Sequence, residues 1–360
     1  MRCVVHIGCE KTGTTLLQRW LYQNQAALSE HGIALSDCLD KPENRKLCAY
    51  FQTAPDDYFL DRQLSNPTRR SQYFTNLLQD FSAEVATKSV NHDCFVITSE
   101  HFHSRLRTLG EIEKFGAYLK SIFSRVEIVG YFREQSAVRD SLYSTELRSG
   151  YWGAIEGFQR DLTPSDPYYN YYTLAVRWAK VFGRNAIKAV LYNRSEFSGG
   201  DLRRDFLERV SPGLSFDAFD PSVKSANETF TQTQVILARA VNSVHRRYLA
   251  DGTINDQRWK MIYEIDALRD DSKLARRIID PLPIYERFSA SNIKFANEFL
   301  GRSSHPFAKP APLQSTQRPN AMTWGMEDEL VRAYARLLLP LVDKSRLRPT
   351  ESLCSTKVSA

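Results

Sequence analysis

Four short runs of apolar, largely β-branched residues constrain this chain more than any other feature: Cys3-Val4-Val5-His6-Ile7, Cys94-Phe95-Val96-Ile97-Thr98, Val126-Glu127-Ile128-Val129-Gly130-Tyr131-Phe132 and Ile187-Lys188-Ala189-Val190-Leu191. Helical periodicity follows the first three. Leu16, Leu17, Trp20, Leu21, Ala27 and Leu28 come after the first, and Gly32 reads as the stop. Ile112, Phe115, Leu119, Ile122 and Phe123 come after the second, and Val138, Leu142 and Thr145 after the third. Helices near 168–182 and 201–210 bracket the fourth. Short strands separated by helices belong in a parallel sheet covered on both faces. The spacing therefore predicts an α/β fold, a parallel β-sheet with helices on both faces, its first loop at the carboxyl end of strand one.

Residues 36–92 interrupt the alternation with a polar stretch of weak periodicity. They read as an insertion, either one that shapes an acceptor site or a plain surface one. From about 229 the chain turns mainly helical, with long runs near 229–249 and 255–270. Ser303–Pro319, rich in Pro and Ser, reads as an ordered loop or linker, followed by a last helix near 325–342. The expected layout is an α/β domain over 1–300, a linker and C-terminal helix over 301–344, and a flexible tail over 345–360.

With 360 residues, 42% hydrophobic and 25% charged, the composition excludes a disordered, collagen-like or coiled-coil chain. The formal charge of +6 suits an anionic ligand but is too scattered to argue for nucleic acid. No run of apolar residues is long enough for a transmembrane helix, so no membrane span is expected. The N-terminus shows no secretory pattern, and the six cysteines (Cys3, Cys9, Cys38, Cys48, Cys94, Cys354) lack any C-x-x-C or zinc spacing. A reduced, cytoplasmic protein with no metal site is expected.

The chemistry concentrates in His6-Ile7-Gly8-Cys9-Glu10-Lys11-Thr12-Gly13-Thr14-Thr15-Leu16. A Gly-containing loop between strand and helix turns several N–H groups into one concavity, and the helix dipole adds to them. Gly8 and Gly13 permit the tight path, Thr14 and Thr15 add hydroxyls, and Lys11 adds a full charge. This is not the Walker A loop of ordinary ATPases, in which Lys follows the second Gly; here Lys11 precedes Gly13. A second anion-binding element follows the third run. Arg133 offers a planar fork, and Ser141 lies eight residues on, just over two helical turns, where it can face back toward the helix start. Arg139 either joins them or faces solvent.

The loop resembles that of the sulfotransferase family, which uses 3′-phosphoadenosine 5′-phosphosulfate (PAPS) and grips its 5′-phosphosulfate with Lys-x-Gly-Thr-Thr. The resemblance extends to the Arg followed eight residues later by Ser, with Tyr143 two beyond, and covers roughly residues 2–245. The family commonly has Pro two residues after the Arg; this chain has Gln135, a departure in loop rigidity. The resemblance implies the three-layer fold of that family. It further implies PAPS bound by Lys11, Thr12, Gly13, Thr14, Thr15, Arg133 and Ser141, with the 3′-phosphate on the last two. Tyr192 then lies against adenine or simply packs at a strand end, and Ser225-Ala226-Asn227 is the candidate loop over the nucleotide.

Sulfuryl transfer to a hydroxyl needs a base for the proton and a donor for the leaving phosphate. Lys11 is the candidate donor. In the family the base follows the second core strand, where this chain has Thr98-Ser99-Glu100-His101-Phe102-His103. Glu100 resembles the Glu of glycan-modifying members and is preferred, with His103 and His101 as alternatives. The expected activity is PAPS-dependent sulfation of a hydroxyl acceptor, a carbohydrate or glycolipid. An atypical nucleotide phosphotransferase and a non-catalytic nucleotide- or glycan-binding protein are the competing readings; the oligomeric state stays open.

Overall fold

All four runs become strands, and a fifth joins them. The computed structural model describes residues 1–160, 162–223, 229–268 and 280–312. The order begins β1 (Arg2–His6), α1 (Thr14–Gln23), α2 (Gln25–Glu30), β2 (Ile33–Leu35), α3 (Arg45–Phe51), α4 (Asp57–Asp61), α5 (Pro67–Tyr73) and α6 (Leu77–Lys88). It continues with β3 (Cys94–Thr98), α7 (His101–Arg105), α8 (Leu109–Ile122), β4 (Arg125–Phe132), α9 (Gln135–Ser149) and α10 (Ile155–Arg160). Next come α11 (Tyr171–Phe182), β5 (Ile187–Leu191) and α12 (Leu202–Val210), then α13 (Gln232–Val244), α14 (Asp256–Ala267) and α15 (Leu282–Phe295).

The strands form one sheet in the order β2-β3-β1-β4-β5, every pair parallel. Side-chain alternation divides each strand between two cores. Cys3 and Val5, Phe95 and Ile97, Ile128 and Phe132 face one layer, which includes α3, α6, α8 and α11. Val4, Val96, Val129, Tyr131 and Val190 face the other, which holds α1, α2 and α12. This is the α/β architecture expected from the runs. Sequence periodicity does not find β2, a strand of 3 residues, too short to carry a pattern of its own.

Residues 36–92 are not a plain surface insertion. Leu47, Cys48 and Phe51 of α3, Tyr58 and Phe59 of α4, and Leu77, Phe81 and Val85 of α6 are buried in the first core. The periodicity is weak because these helices run only 5 to 12 residues and divide the buried apolar side chains unevenly, four on α3, two on α4, none on α5 and three on α6. Side-chain caps mark several helix starts: Thr108 and Glu111 form a reciprocal capping box at α8, and the Asp201 carboxylate accepts from the Arg203 N–H at α12.

The chain divides into two compact units. The first comprises Met1–Thr145, Ala154–Thr229 and Arg276–Gln317; the second comprises Glu146–Gly153, Phe230–Ala275 and Arg318–Ala360. In the first, α15 is tied to the turn after β4 by a reciprocal amide pair. Gln135 Nε2 donates to Asn292 Oδ1 at 2.8 Å and Asn292 Nδ2 donates back to Gln135 Oε1 at 3.1 Å, both residues fully buried. In the second, Arg258 of α14 is fully buried and donates to Asn242 Oδ1 at 2.9 Å and to the Arg148 carbonyl at 2.8 Å. It thereby caps carbonyls that the end of a helix leaves open. The expected helix near 325–342, the tail 345–360 and the Ser225-Ala226-Asn227 loop lie outside the described residues. Among those described, no helix is long and apolar enough to cross a membrane.

Because Phe81 is fully buried and packs on Phe95 of the sheet, Phe81→Ala is expected to cost about 3–5 kcal/mol, as large-to-small core substitutions do. A shift of the whole unfolding transition in denaturant checks it. An unchanged midpoint would mean that α6 is peripheral.

Candidate active site

A parallel sheet puts the carboxyl ends of all its strands along one edge, where ligands bind in open α/β folds. Here β1 ends into Gly8–Gly13, β3 into Ser99–His103, β4 into Arg133 and β5 into Tyr192. Each segment singled out by its residues therefore emerges at the same edge.

The first loop is wound tightly. Gly8 (φ 42°), Lys11 (φ 65°) and Gly13 (φ 76°) all take left-handed backbone. The Thr12 hydroxyl donates to the Cys9 carbonyl across the turn. Close approach and positive φ both demand glycine at its two ends. A Cβ on Gly8 would stand 2.7 Å from Thr14 Cγ2 and 3.4 Å from the Cα of Glu100. One on Gly13 would stand 2.7 Å from Leu202 Cδ2 and 3.2 Å from the Tyr192 hydroxyl. Gly13 then caps α1 without a side-chain cap bond, and the start of a helix is where the dipole favours an anion. Under the loop, His6 Nδ1 pairs with Thr98 Oγ1 at 2.9 Å, and burial takes its pKa down to about 3. The loop thus rests on a neutral imidazole.

The second element meets the first directly. Arg133 Nη1 donates to the carbonyl of Lys11 at 3.1 Å, and its guanidinium stands 5.9 Å from the centre of the Tyr192 ring. The Lys11 ammonium donates to Thr145 Oγ1 on α9. Ser141 lies one turn before Thr145 on the same helix face, toward the Arg133 end. The Tyr171 hydroxyl donates to the Arg133 carbonyl at 2.6 Å, fixing the backbone there. Gln135 supplies through its amide pair with Asn292 the anchoring that a proline would have supplied by its ring. Arg139 neither joins the group nor faces solvent. It donates from Nε to the Phe158 carbonyl at 2.7 Å and from Nη1 to the Tyr169 hydroxyl at 2.9 Å, with its guanidinium over the Phe158 ring. Tyr143 is buried against Phe158.

The three base candidates have different surroundings. Glu100 is half-buried, and its Oε2 accepts from Gln18 Nε2 at 2.6 Å. Burial raises its pKa to about 7, helped by the nearby carboxylates of Glu43 and Glu10 and opposed by its own backbone N–H and Gln18. His101 is held well below the usual imidazole range, by burial first and then by the charges of Arg45 and Arg105. His103 is buried, its Nε2 on the Tyr168 carbonyl at 2.9 Å and its ring 4.5 Å from the Tyr168 ring. A carbonyl only accepts, so His103 Nε2 carries the hydrogen, and Nδ1 is buried with no hydrogen-bond partner. Burial also lowers its pKa. Glu100 is thus poised near neutrality, whereas burial lowers both imidazoles.

Several residues here escape sequence reasoning. The Glu10 carboxylate accepts from the Tyr168 hydroxyl at 2.8 Å and lies 3.9 Å from Arg105. Arg105 in turn holds Asp56 at 2.6 Å, and Arg45 pairs with the same carboxylate. Arg45 and Asp56 come from the segment 36–92, so part of that segment borders the cluster after β3. Gln18 had a readable signal: it stands one helical turn after Thr14, on the same buried face of α1.

No family model matches the chain. An uncharacterized protein of Archaeoglobus fulgidus is 24% identical over 210 residues, which are 57% of this chain and 54% of that protein. The chain therefore spans about half the length of this relative. Among solved structures, a sulfotransferase from Alicyclobacillus acidocaldarius superposes with a TM-score of 0.37 and 17% identity, covering 69% of this chain and 97% of the other.

Proposed function

We propose that this chain is a PAPS-dependent sulfotransferase acting on a hydroxyl acceptor, a carbohydrate or glycolipid, with Glu100 as the base. The observation that carries the reading is the meeting of the two anion-binding elements at Lys11, whose carbonyl holds Arg133 and whose ammonium reaches α9. A nucleotide charged at both its 5′ and 3′ ends needs two such elements side by side; a single phosphate needs one.

PAPS supplies the activated sulfuryl group. The N–H groups at the start of α1, with Thr12, Thr14 and Thr15, bind its 5′ end, and Arg133 with Ser141 takes the 3′-phosphate. Tyr192, which packs against Gly13 and beside Arg133, offers its ring to the base. Lys11 turns from Thr145 to the oxygen that leaves sulfur, where negative charge grows; losing such a donor costs on the order of 10²–10³ in rate. Glu100 accepts the hydroxyl proton. A carboxylate poised near 7 keeps useful basicity while still ionised in about half the molecules at neutral pH.

Two expectations test the reading. Adenosine 3′,5′-bisphosphate is expected to bind in calorimetry with micromolar affinity and more tightly than ATP or 5′-AMP. Arg133→Ala should then lose roughly tenfold or more, the value of a hydrogen bond to a charged group. Preference for ATP, or no nucleotide binding by a folded sample, sinks the proposal in favour of a phosphotransferase or a binding module.

Glu100→Gln should keep nucleotide affinity and lose about 10²–10⁴ in transfer rate. The parent rate should climb with pH and level off above 7, since only the ionised base works. Stability carries the opposite sign. The native carboxyl holds its proton up to about 7 whereas the unfolded one releases it near 4.5, so ionisation destabilises the fold as pH rises through that window. Glu100→Gln is therefore expected to raise the melting temperature at pH 8 and leave it unchanged at pH 4, which calorimetric scans at the two pH values check.

A further inference from the structure

Helix α1 carries two things at once: the N-terminus that closes the anion loop, and Gln18 one turn farther on. Gln18 is 1% exposed. A primary amide so deeply buried needs partners for its N–H groups. One is Oε2 of Glu100, at 2.6 Å, from a different strand end of the sheet. The main chain of Glu100 is already held elsewhere. Its Cα packs against Gly8, and its carbonyl accepts from the Ser104 N–H and hydroxyl, each at 3.2 Å. What remains free is the side-chain torsion, and Gln18 takes that.

The chemistry of the contact is directional. An amide N–H donates and has no lone pair with which to receive. Oε2 therefore faces a donor, and a proton that Glu100 takes up is favoured on Oε1, because the oxygen that already accepts a hydrogen bond is the less basic of the two. We propose that Gln18 is a positioning residue: by donating Nε2–H to Oε2 it orients the Glu100 carboxylate and leaves Oε1 as the atom that receives the acceptor's proton. Its role in catalysis rests on the sulfotransferase reading above, whereas the donor on Oε2 does not. The same contact favours the ionised form and offsets part of the effect of burial and of the Glu43 and Glu10 charges. In the reaction itself, the acceptor O–H bond breaks and its electrons form the new bond to sulfur; the bond from sulfur to the 5′-phosphate oxygen breaks, its electron pair leaving on adenosine 3′,5′-bisphosphate, and the proton moves to Oε1. Because the amide stands on the helix that closes the anion loop, loop and base are held in one register.

Gln18→Met removes the donor while keeping length and burial; Gln18→Asn keeps an amide too short to reach and serves if the first variant does not fold. In the full chain, the carboxyl carbon of Glu100 is titrated by NMR, its resonance identified by its loss in Glu100→Gln. The midpoint is expected to rise by about one pH unit, the value of a hydrogen bond to a charged group. The transfer rate below neutrality should fall about tenfold and recover in alkaline buffer, a pH-dependent rescue that a merely structural defect lacks. An unchanged midpoint overturns the proposal. So does a fall, which would mean that the amide oxygen faces a protonated carboxyl. The NMR titration needs no nucleotide, so a parent chain that fails to bind adenosine 3′,5′-bisphosphate disproves the sulfotransferase reading separately from this one.

Discussion

The site depends on how β1 is paired. Its two parallel neighbours set the level at which everything else emerges: His6 is matched by Thr98 of β3 on one side and Val129 of β4 on the other. On the β3 side the chain turns at that same level, so Ser99 and Glu100 lie beside the start of the loop, with Ser99 N–H on the His6 carbonyl at 3.0 Å. On the β4 side the strand runs on through Gly130, Tyr131 and Phe132, about 10 Å farther at the rise of a parallel strand. Arg133 is thereby lifted to the crown of the loop, where it meets the Lys11 carbonyl. A one-residue slip of either pairing would separate these groups and turn every core side chain to the wrong face.

Around that frame the polar groups divide into paired and strained. Arg45, Asp56, Arg105 and Glu10 form an extended ion network in which each charge faces an opposite one. Breaking such a network by removing one member is costly, because a half-buried charge is left alone. Glu100 differs: it has an amide and a backbone N–H for company, two other carboxylates nearby and, among the described residues, no cationic partner in hydrogen-bond reach. A group held in this way costs stability when ionised and persists where that reactivity is used, a pattern that marks working sites more often than structural ones.

Much of the frame is legible in the residues. β3 and β5 coincide with their apolar runs, β1 and β4 start one residue early, and the loop can be placed from glycines and helix periodicity alone. The helices between 36 and 92 are not legible, because each is short and buries at most a few apolar side chains, too few to set up a helical period. Gln135 looks like a simple departure from proline until Asn292, 157 positions away, supplies its partner. Arg139 shows the reverse. Its spacing places it on the helix with Ser141, but Phe158 and Tyr169, brought by a later segment, claim its guanidinium.

By itself the sequence determined four of the sheet's five strands, the strand–loop–helix that follows the first of them, and the short list of groups able to take a proton. These are local properties: apolar spacing, glycine where the backbone turns left-handed, and residue types that hold charge. Only the tertiary structure sets Glu100, His101 and His103 apart, because their basicity depends on what is packed around them rather than on what they are. Burial and three distant neighbours, Gln18, Glu43 and Glu10, make one carboxyl a group of near-neutral pKa. A carbonyl and an aromatic ring make His103 part of the packing. Desolvation and hydrogen bonding act through space, and the chain records them only once it has folded.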